Sequence, residues 1–334
     1  MSLSILDILR EHPEEFVSGE YISERMHCSR TAVWKHIRKL KAQGYEFEAI
    51  PRLGYRLKSA PPKLNMQTLL TDLNTRVLGK QIKLLDVVDS TQRVAHEWVK
   101  EGAPEGAMVI AEGQTAGRGR MGRTWHSPQG KGVWMSLVLK PSVPLHLTPQ
   151  LTLLSAVALC RAIKAVAPVD AGIKWPNDIL IGGRKVAGIL LESSAEDERL
   201  QYVVAGIGVS VNLTSTDYPQ ELREIATSLR IAGGETVDRA VLIRTFLQQL
   251  EYLYELYTEE GFAPIKSLWE ALNVTLGHPV SISGATGVVE GVAMEIDDLG
   301  ALLIKDNSGK RVKVYSGDVQ ITGNLPGQPG PGAK

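Results

Sequence analysis

Between Gly113 and Val169 the chain runs for 57 residues without an aspartate or a glutamate, although 37 acidic side chains are spread over its 334 positions. Inside that stretch, Gly117 to Arg123 sets three glycines and three arginines in seven positions. Guanidinium groups reach phosphate and carboxylate oxygens bidentately, and glycine lets backbone amides come close to them, so the segment is arranged for an anionic ligand. Gly117, Gly119 and Gly122 satisfy G-x-G-x-x-G, but a dinucleotide fold also needs a helix directly after the glycines and an acid about 20 residues on. Here the loop runs into Pro128, Gly130 and Gly132 and then a β-branched strand, and the Walker pattern is absent. The fold expected around the loop is therefore α+β rather than a doubly wound parallel sheet.

The 37 basic and 37 acidic side chains cancel, so any affinity for nucleic acid must come from local clustering. Cys28 and Cys160 are too few and too far apart for a disulfide framework or a zinc site, and no metal site is expected. The acidic start MSLSILDILREHPEEF does not read as a signal peptide, and a cytoplasmic location is expected.

Residues 1–62 read as helix, helix, helix and hairpin, ending in the stiff Ala60-Pro61-Pro62 linker. Ile5, Leu6 and Leu9 mark the first helix, and Ile22 and Met26 the second. Ser29 is placed to cap a third from Arg30 to Gln43, with Gly44 ending it. On that helix Val33, Ile37 and Leu40 form the apolar stripe, while Arg30, Thr31, Trp34, Lys35 and Arg38 project elsewhere. From Tyr21 to Lys58 nine Lys/Arg stand against three acids, the basic residues lying on this helix and on a hairpin carrying Arg52 and Arg56. The pattern resembles a winged helix-turn-helix, with Ser29, Arg30, Thr31, Trp34, Lys35, Arg38, Arg52 and Arg56 as candidate DNA contacts. A mixed domain is expected at 63–275, a small β barrel at 276–323 and a disordered tail at 324–334.

A second motif, Lys174-Trp175-Pro176-Asn177-Asp178, precedes Gly182-Gly183-Arg184-Lys185-Val186-Ala187-Gly188. Lysines, a carboxylate and an amide set between apolar strands are costly unless they surround a charged ligand. Taken in order, Asp89-Ser90-Thr91, Gln114, GRGRMGRTW, KWPND, KVAGIL and Gly206-Ile207-Gly208 resemble the biotin protein ligases. With the N-terminal arm, the chain to about residue 322 is similar to the bifunctional members that also repress biotin synthesis genes. The competing readings are a biotin sensor that no longer makes the adenylate, which the intact Lys185 and KWPND disfavour, and a lipoate ligase relative, which the DNA-binding arm disfavours.

The resemblance implies a biotin/lipoate ligase-like catalytic domain followed by an SH3-like barrel. It implies ATP and Mg²⁺ as requirements, biotin as substrate, a biotin carboxyl carrier domain and operator DNA as partners, and a homodimer on DNA. It implies that Ser90, Thr91, Gln92 and Gln114 hold the biotin ring, with Gly119 and Gly188 alongside. Arg118, Arg120 and Lys185 would meet the carboxylate and acyl-phosphate, and Gly117, Arg123, Trp125, Lys174 and Asn177 the nucleotide. Asp178 would serve the nucleotide's metal and accept the proton of the incoming lysine. Where the family reads G-I-G-I-N-V-N this chain has Gly206-Ile207-Gly208-Val209-Ser210-Val211-Asn212, so Ser210 takes the first asparagine position and Asn212 is expected to compensate.

Overall fold

A computed structural model describes residues 4–42, 45–59, 63–196, 199–284 and 287–322. The expected linker at 60–62, the helix end at Gln43 and Gly44, and the tail at 324–334 lie outside the described residues. The chain divides into two compact units, Met1–Lys63 with Pro128–Lys131, and Leu64–Ser127 with Gly132–Lys334.

The first unit is built from α1 (Ile5–Glu11), α2 (Gly19–Arg25), α3 (Arg30–Ala42), β1 (Glu46–Ile50) and β2 (Gly54–Ser59). Each helix begins where a serine side chain accepts a backbone N–H. Ser4 forms a reciprocal capping box with Asp7, Ser18 accepts from Tyr21, and Ser29 accepts from Ala32 at 3.2 Å. The expected stripe is buried: Val33 and Ile37 join Ile5, Ile8, Leu9, Ile22 and Phe47 in one core, with Leu40 against it. The hairpin β1–β2 is antiparallel, and Val17 bridges to Tyr55 beside it. Gly54 turns here with φ +116°, and a Cβ there would overlap the Val17 carbonyl.

The second unit continues with α4 (Met66–Leu70), β3 (Ile82–Val88), α5 (Thr91–Lys100), β4 (Met108–Gln114), β5 (Gly132–Leu139) and α6 (Thr148–Val166). Then come β6 (Ala171–Lys174), β7 (Asp178–Ile181), β8 (Arg184–Glu196), β9 (Arg199–Ser210), α7 (Leu229–Gly233), α8 (Arg239–Glu260) and α9 (Ala263–Leu272). The strands form one sheet in the order β3-β4-β5-β9-β8-β7-β6, in which only the β3–β4 pair is parallel. Alternation along β4 sets its two faces apart. Met108 and Ile110 enter the large core with α6 and α8, while Val109 packs beneath Ala95 of α5. The stretch Leu145–Val166 is long and apolar enough to cross a membrane, but 67% of it is buried inside the protein, where it is the central core helix.

The last strands are β10 (Pro279–Gly284), β11 (Gly287–Ile296), β12 (Leu302–Asp306), β13 (Arg311–Val314) and β14 (Asp318–Ile321), ordered β13-β12-β11-β10-β14 and antiparallel throughout. Among the described residues β13 and β14 do not pair, so they are the two edges of this sheet. Its inner residues Val280, Ile282, Ala293, Ile304 and Val319 belong to the same apolar core as α6 and α8.

Two buried carboxylates anchor this unit. Glu112 on β4 pairs with Arg239 at 2.7 Å, their side chains 4% and 3% exposed, and also accepts the Leu64 amide. Glu251 on α8 accepts the backbone amides of Arg76, Val77 and Leu78. Burial alone would raise the Glu251 carboxyl, but these three donors outweigh it and hold it below its ordinary value.

Candidate active site and nucleic-acid face

A cavity of about 250 Å³ opens on the α5 side of the seven-stranded sheet, within the second unit. Its lining includes Ser90, Thr91, Gln92, Gln114, Arg118, Gly119, Arg120, Arg123, Trp125, Asn177, Asp178, Lys185, Gly188 and Ser210, so residues from six separate sequence motifs meet in one place. Gly117, Lys174 and Asn212 are not in the lining.

One end of the cavity is a chain of buried neutral hydrogen bonds. The Thr91 backbone N–H donates to Gln114 Oε1 at 2.9 Å, the Thr91 and Ser136 hydroxyls meet at 2.9 Å, and Ser136 donates to Gln92 Oε1 at 2.9 Å. Gln92 in turn donates to the Val204 carbonyl, and Gln114 to the Ser127 hydroxyl. Ser90 stands at the N-cap of α5, yet its side chain makes no capping bond. Its Oγ is buried without a hydrogen-bond partner and faces the cavity. Such an orphaned group is costly unless a ligand satisfies it. At Gly206 a Cβ would stand 2.6 Å from Gln92 Oε1, so a larger residue there would displace the end of the glutamine.

The other end is ionic. Lys185 Nζ lies 2.6 Å from Asp178 Oδ1, a close ion pair. Asp178 Oδ2 is 3.4 Å from Lys174 Nζ, whose own hydrogen bond goes to the Val319 carbonyl at 3.1 Å. Lys174 therefore acts on the cavity from behind Asp178. Asn177 is held by donating to the Ile189 carbonyl and by accepting from Arg120. Burial lowers the Arg120 guanidinium from its ordinary value, with Asp178 and Asp318 opposing the shift.

The Gly/Arg loop crosses the cavity with each arginine tied to a different element. Arg118 pairs with Glu192 of β8 at 2.9 Å, Arg120 with Asn177 at 3.0 Å, and Arg123 bidentately with Asp318 of β14 at 2.7 and 3.2 Å. The hydrogen bond from Arg123 holds the Asp318 carboxyl below the usual carboxylate range. Trp125 lies over the two glycines of the adjoining strands: a Cβ at Gly208 would come 2.5 Å from its Nε1, and one at Gly188 3.0 Å from its ring. Lys185 Nζ is 5.1 Å from the centre of that ring, and Trp125 Nε1 is buried and unpaired. Gly117 contributes close approach instead of lining, since a Cβ there would meet the Trp125 carbonyl at 2.5 Å.

Asn212, expected to compensate for Ser210, lies outside the lining: its Nδ2 donates to the Val237 carbonyl and its Oδ1 accepts the Val237 amide, both at 2.9 Å. Several polar residues of the lining, His126 among them, carry no signal in the sequence. Ser136 sits in an apolar strand and reads as core, Tyr218 lies in an irregular segment, and Asp318 comes from the far C-terminal sheet.

In the first unit, Arg30, Thr31, Trp34, Lys35 and Arg38 are exposed on α3, with Arg38 5.5 Å over the Trp34 ring. Ser29 spends its hydroxyl on the cap of α3. Arg52 stands exposed at the hairpin tip with φ +70°. Arg56 differs from the others. It is paired with Glu48 at 2.6 Å and lies 4.9 Å over Phe16, so it braces the hairpin and a phosphate would have to displace Glu48.

Comparison with known proteins shows that residues 84–210 match the biotin/lipoate A/B protein ligase family, residues 2–56 an HTH domain, and residues 275–321 the biotin protein ligase C terminal domain. The chain is 48% identical over 317 residues to the bifunctional ligase/repressor BirA of Bacillus subtilis, covering 95% of this chain and 97% of that protein. It is 30% identical over 293 residues to the Escherichia coli protein of the same name, covering 88% and 89%. Among solved structures, the biotin protein ligase from Aquifex aeolicus in complex with biotin and ATP is similar over 73% of this chain and 100% of its own, with a TM-score of 0.63 and 28% identity.

Proposed function

Because this chain belongs to the family of bifunctional biotin ligases and repressors, we propose that it condenses biotin with ATP to biotinyl-5'-AMP, transfers the biotinyl group to a carrier-protein lysine, and represses transcription with the adenylate as corepressor. The observation that supports this best is the division of one cavity into a neutral hydrogen-bonding end and a cationic end. The ureido ring of biotin offers donors and an acceptor, matching the orphaned Ser90 hydroxyl and the Thr91–Gln114–Ser136–Gln92 chain. Its carboxylate then points toward Lys185.

In the first step a carboxylate oxygen bonds to the α-phosphorus and pyrophosphate leaves. Two anions must approach, so the fixed charges of Lys185, Arg118 and Arg120 lower the barrier by neutralising them where charge accumulates. Arg123 takes the pyrophosphate side and Trp125 covers the adenine. In the second step the carrier amine bonds to the acyl carbon, AMP leaves, and Asp178, a carboxylate of the cavity lining, accepts the amine proton. Among the described residues no cluster of three or more potential metal ligands exists. Asp178 and Asp318 are the lining carboxylates that would hold a magnesium ion, Asp318 after releasing Arg123. That ion would supply charge neutralisation at the phosphates.

For the first unit we infer that α3 enters a major groove, that Arg52 meets the phosphate backbone, and that two copies bind two half-sites in the cytoplasm. The test is retardation of DNA from the promoter region of the host's biotin synthesis genes. The full chain is expected to retard it when biotin and ATP are both present. Arg52→Ala is expected to weaken binding to all sequences alike and to reduce the salt slope by about one, leaving pyrophosphate release unchanged. Retardation that ignores both biotin and ATP would contradict the corepressor assignment.

A further inference from the structure

Ser210 departs from the family pattern, and the asparagine expected to replace it is committed to Val237. What serves instead is visible around Lys185. This residue sits at an irregularity of β8: Leu180 pairs with Lys185 but Ile179 with Ala187, and the pairing of β8 with β9 begins only at Ala187. The β9 side of the Lys185 backbone is therefore left to another partner. The Lys185 N–H donates to the Ile225 carbonyl and its carbonyl accepts from the Thr227 N–H, both at 2.9 Å, so that residues 225–227 run along it as a parallel bridge.

That segment is irregular, and Tyr218 fastens it. The phenol donates to the Thr227 carbonyl at 2.6 Å from a ring that is 4% exposed and packed with Trp134 and Leu213. Ser210, itself 5% exposed, lies beside the same phenol and opposes part of the shift that burial imposes on it. Burial pushes the phenol up to about 12, so it keeps its proton, and hence its bond to Thr227, throughout the neutral range.

We propose that Tyr218 is a positioning residue that locks the Ile225–Thr227 segment against Lys185 and so fixes the direction of the Lys185 ammonium. The inference rests on the reading of Lys185 as the group that meets the biotin carboxylate. Lys185 is aimed from its own backbone, so loosening its flank costs the transition state more than the ground state, which Thr91, Gln92 and Gln114 hold from the far end.

Tyr218→Phe keeps the ring and removes the bond, leaving a buried carbonyl unsatisfied. Biotin-dependent pyrophosphate release by the full chain is expected to show kcat reduced by about tenfold, with the Michaelis constant for biotin changed by less than about threefold. In amide exchange, Lys185 and Thr227 should lose protection in Tyr218→Phe while Val204 and Ile207 of β9 keep theirs. Unchanged kcat and unchanged exchange at Lys185 would overturn the proposal, as would a uniform loss of protection across the sheet, which would make Tyr218 a packing residue. A wild-type chain releasing no pyrophosphate would remove the ligase reading itself, while the exchange arm still decides whether Tyr218 fastens the segment.

Discussion

Lys185→Ala is expected to reduce adenylate formation by about 10²- to 10³-fold, the range seen when one preorganised charge-stabilising group is removed. Lys185 is the cation nearest Asp178, at 2.6 Å, and lies 5.1 Å from the Trp125 ring, so its loss both uncovers a carboxylate and vacates the meeting point of the two anionic substrates. Asp178 would then repel the incoming carboxylate, with Lys174, at 3.4 Å and turned toward Val319, as its remaining lysine partner. Lys185→Arg should recover only part of the rate, because a planar guanidinium cannot reproduce a point charge on a four-carbon stem. Pyrophosphate release at saturating biotin and ATP measures the effect; a near-normal rate in Lys185→Ala would take this residue out of the mechanism.

Arg239→Met is expected to destabilise the second unit by about 3–5 kcal/mol, since it strands a buried carboxylate. Glu112 is 4% exposed and has Arg239 at 2.7 Å and the Leu64 amide at 2.7 Å as its partners on two sides. At about 2–4 °C per kcal/mol for a unit of this size, the melting temperature should fall by roughly 6–20 °C. The double variant Glu112→Leu with Arg239→Met should recover part of that loss, because no charge is then stranded, although the Leu64 amide and the Gly132 carbonyl lose their partners. Thermal unfolding of the two variants checks this: a double variant no more stable than the single one would mean that the geometry of the pair, rather than the stranded charge, carries the effect. Glu112 lies two residues before Gln114 on β4, so biotin binding should weaken in the single variant as well.

The first unit was legible because its signals are local. Serines precede each helix within one turn, and Val33, Ile37 and Leu40 repeat at helical spacing, so the elements follow from residues close in sequence. The cavity was legible in another way: a run of glycines and arginines without acids has little use except around an anion, and KWPND adds buried charge to the same argument. What stayed hidden are the partners. Glu192, Asn177 and Asp318, which hold the three loop arginines, lie 74, 57 and 195 residues away from them in the chain. No periodicity links such positions. α8 and α9 were not named although Leu242, Phe246, Leu250, Leu253 and Tyr257 repeat at three- and four-residue spacing, a signal that was available. An asparagine beside a glycine-rich strand reads equally as a ligand contact and as a brace, and the amide of Asn212 is bonded to the chain at Val237.

The most direct measurement is to incubate the full chain with biotin, ATP, magnesium and a biotin carboxyl carrier domain, and to weigh the carrier by mass spectrometry. The account predicts that one carrier lysine gains a single biotinyl group, that the gain requires ATP, and that biotinyl-5'-AMP accumulates when the carrier is left out. A carrier of unchanged mass, with no adenylate formed in its absence, would contradict it.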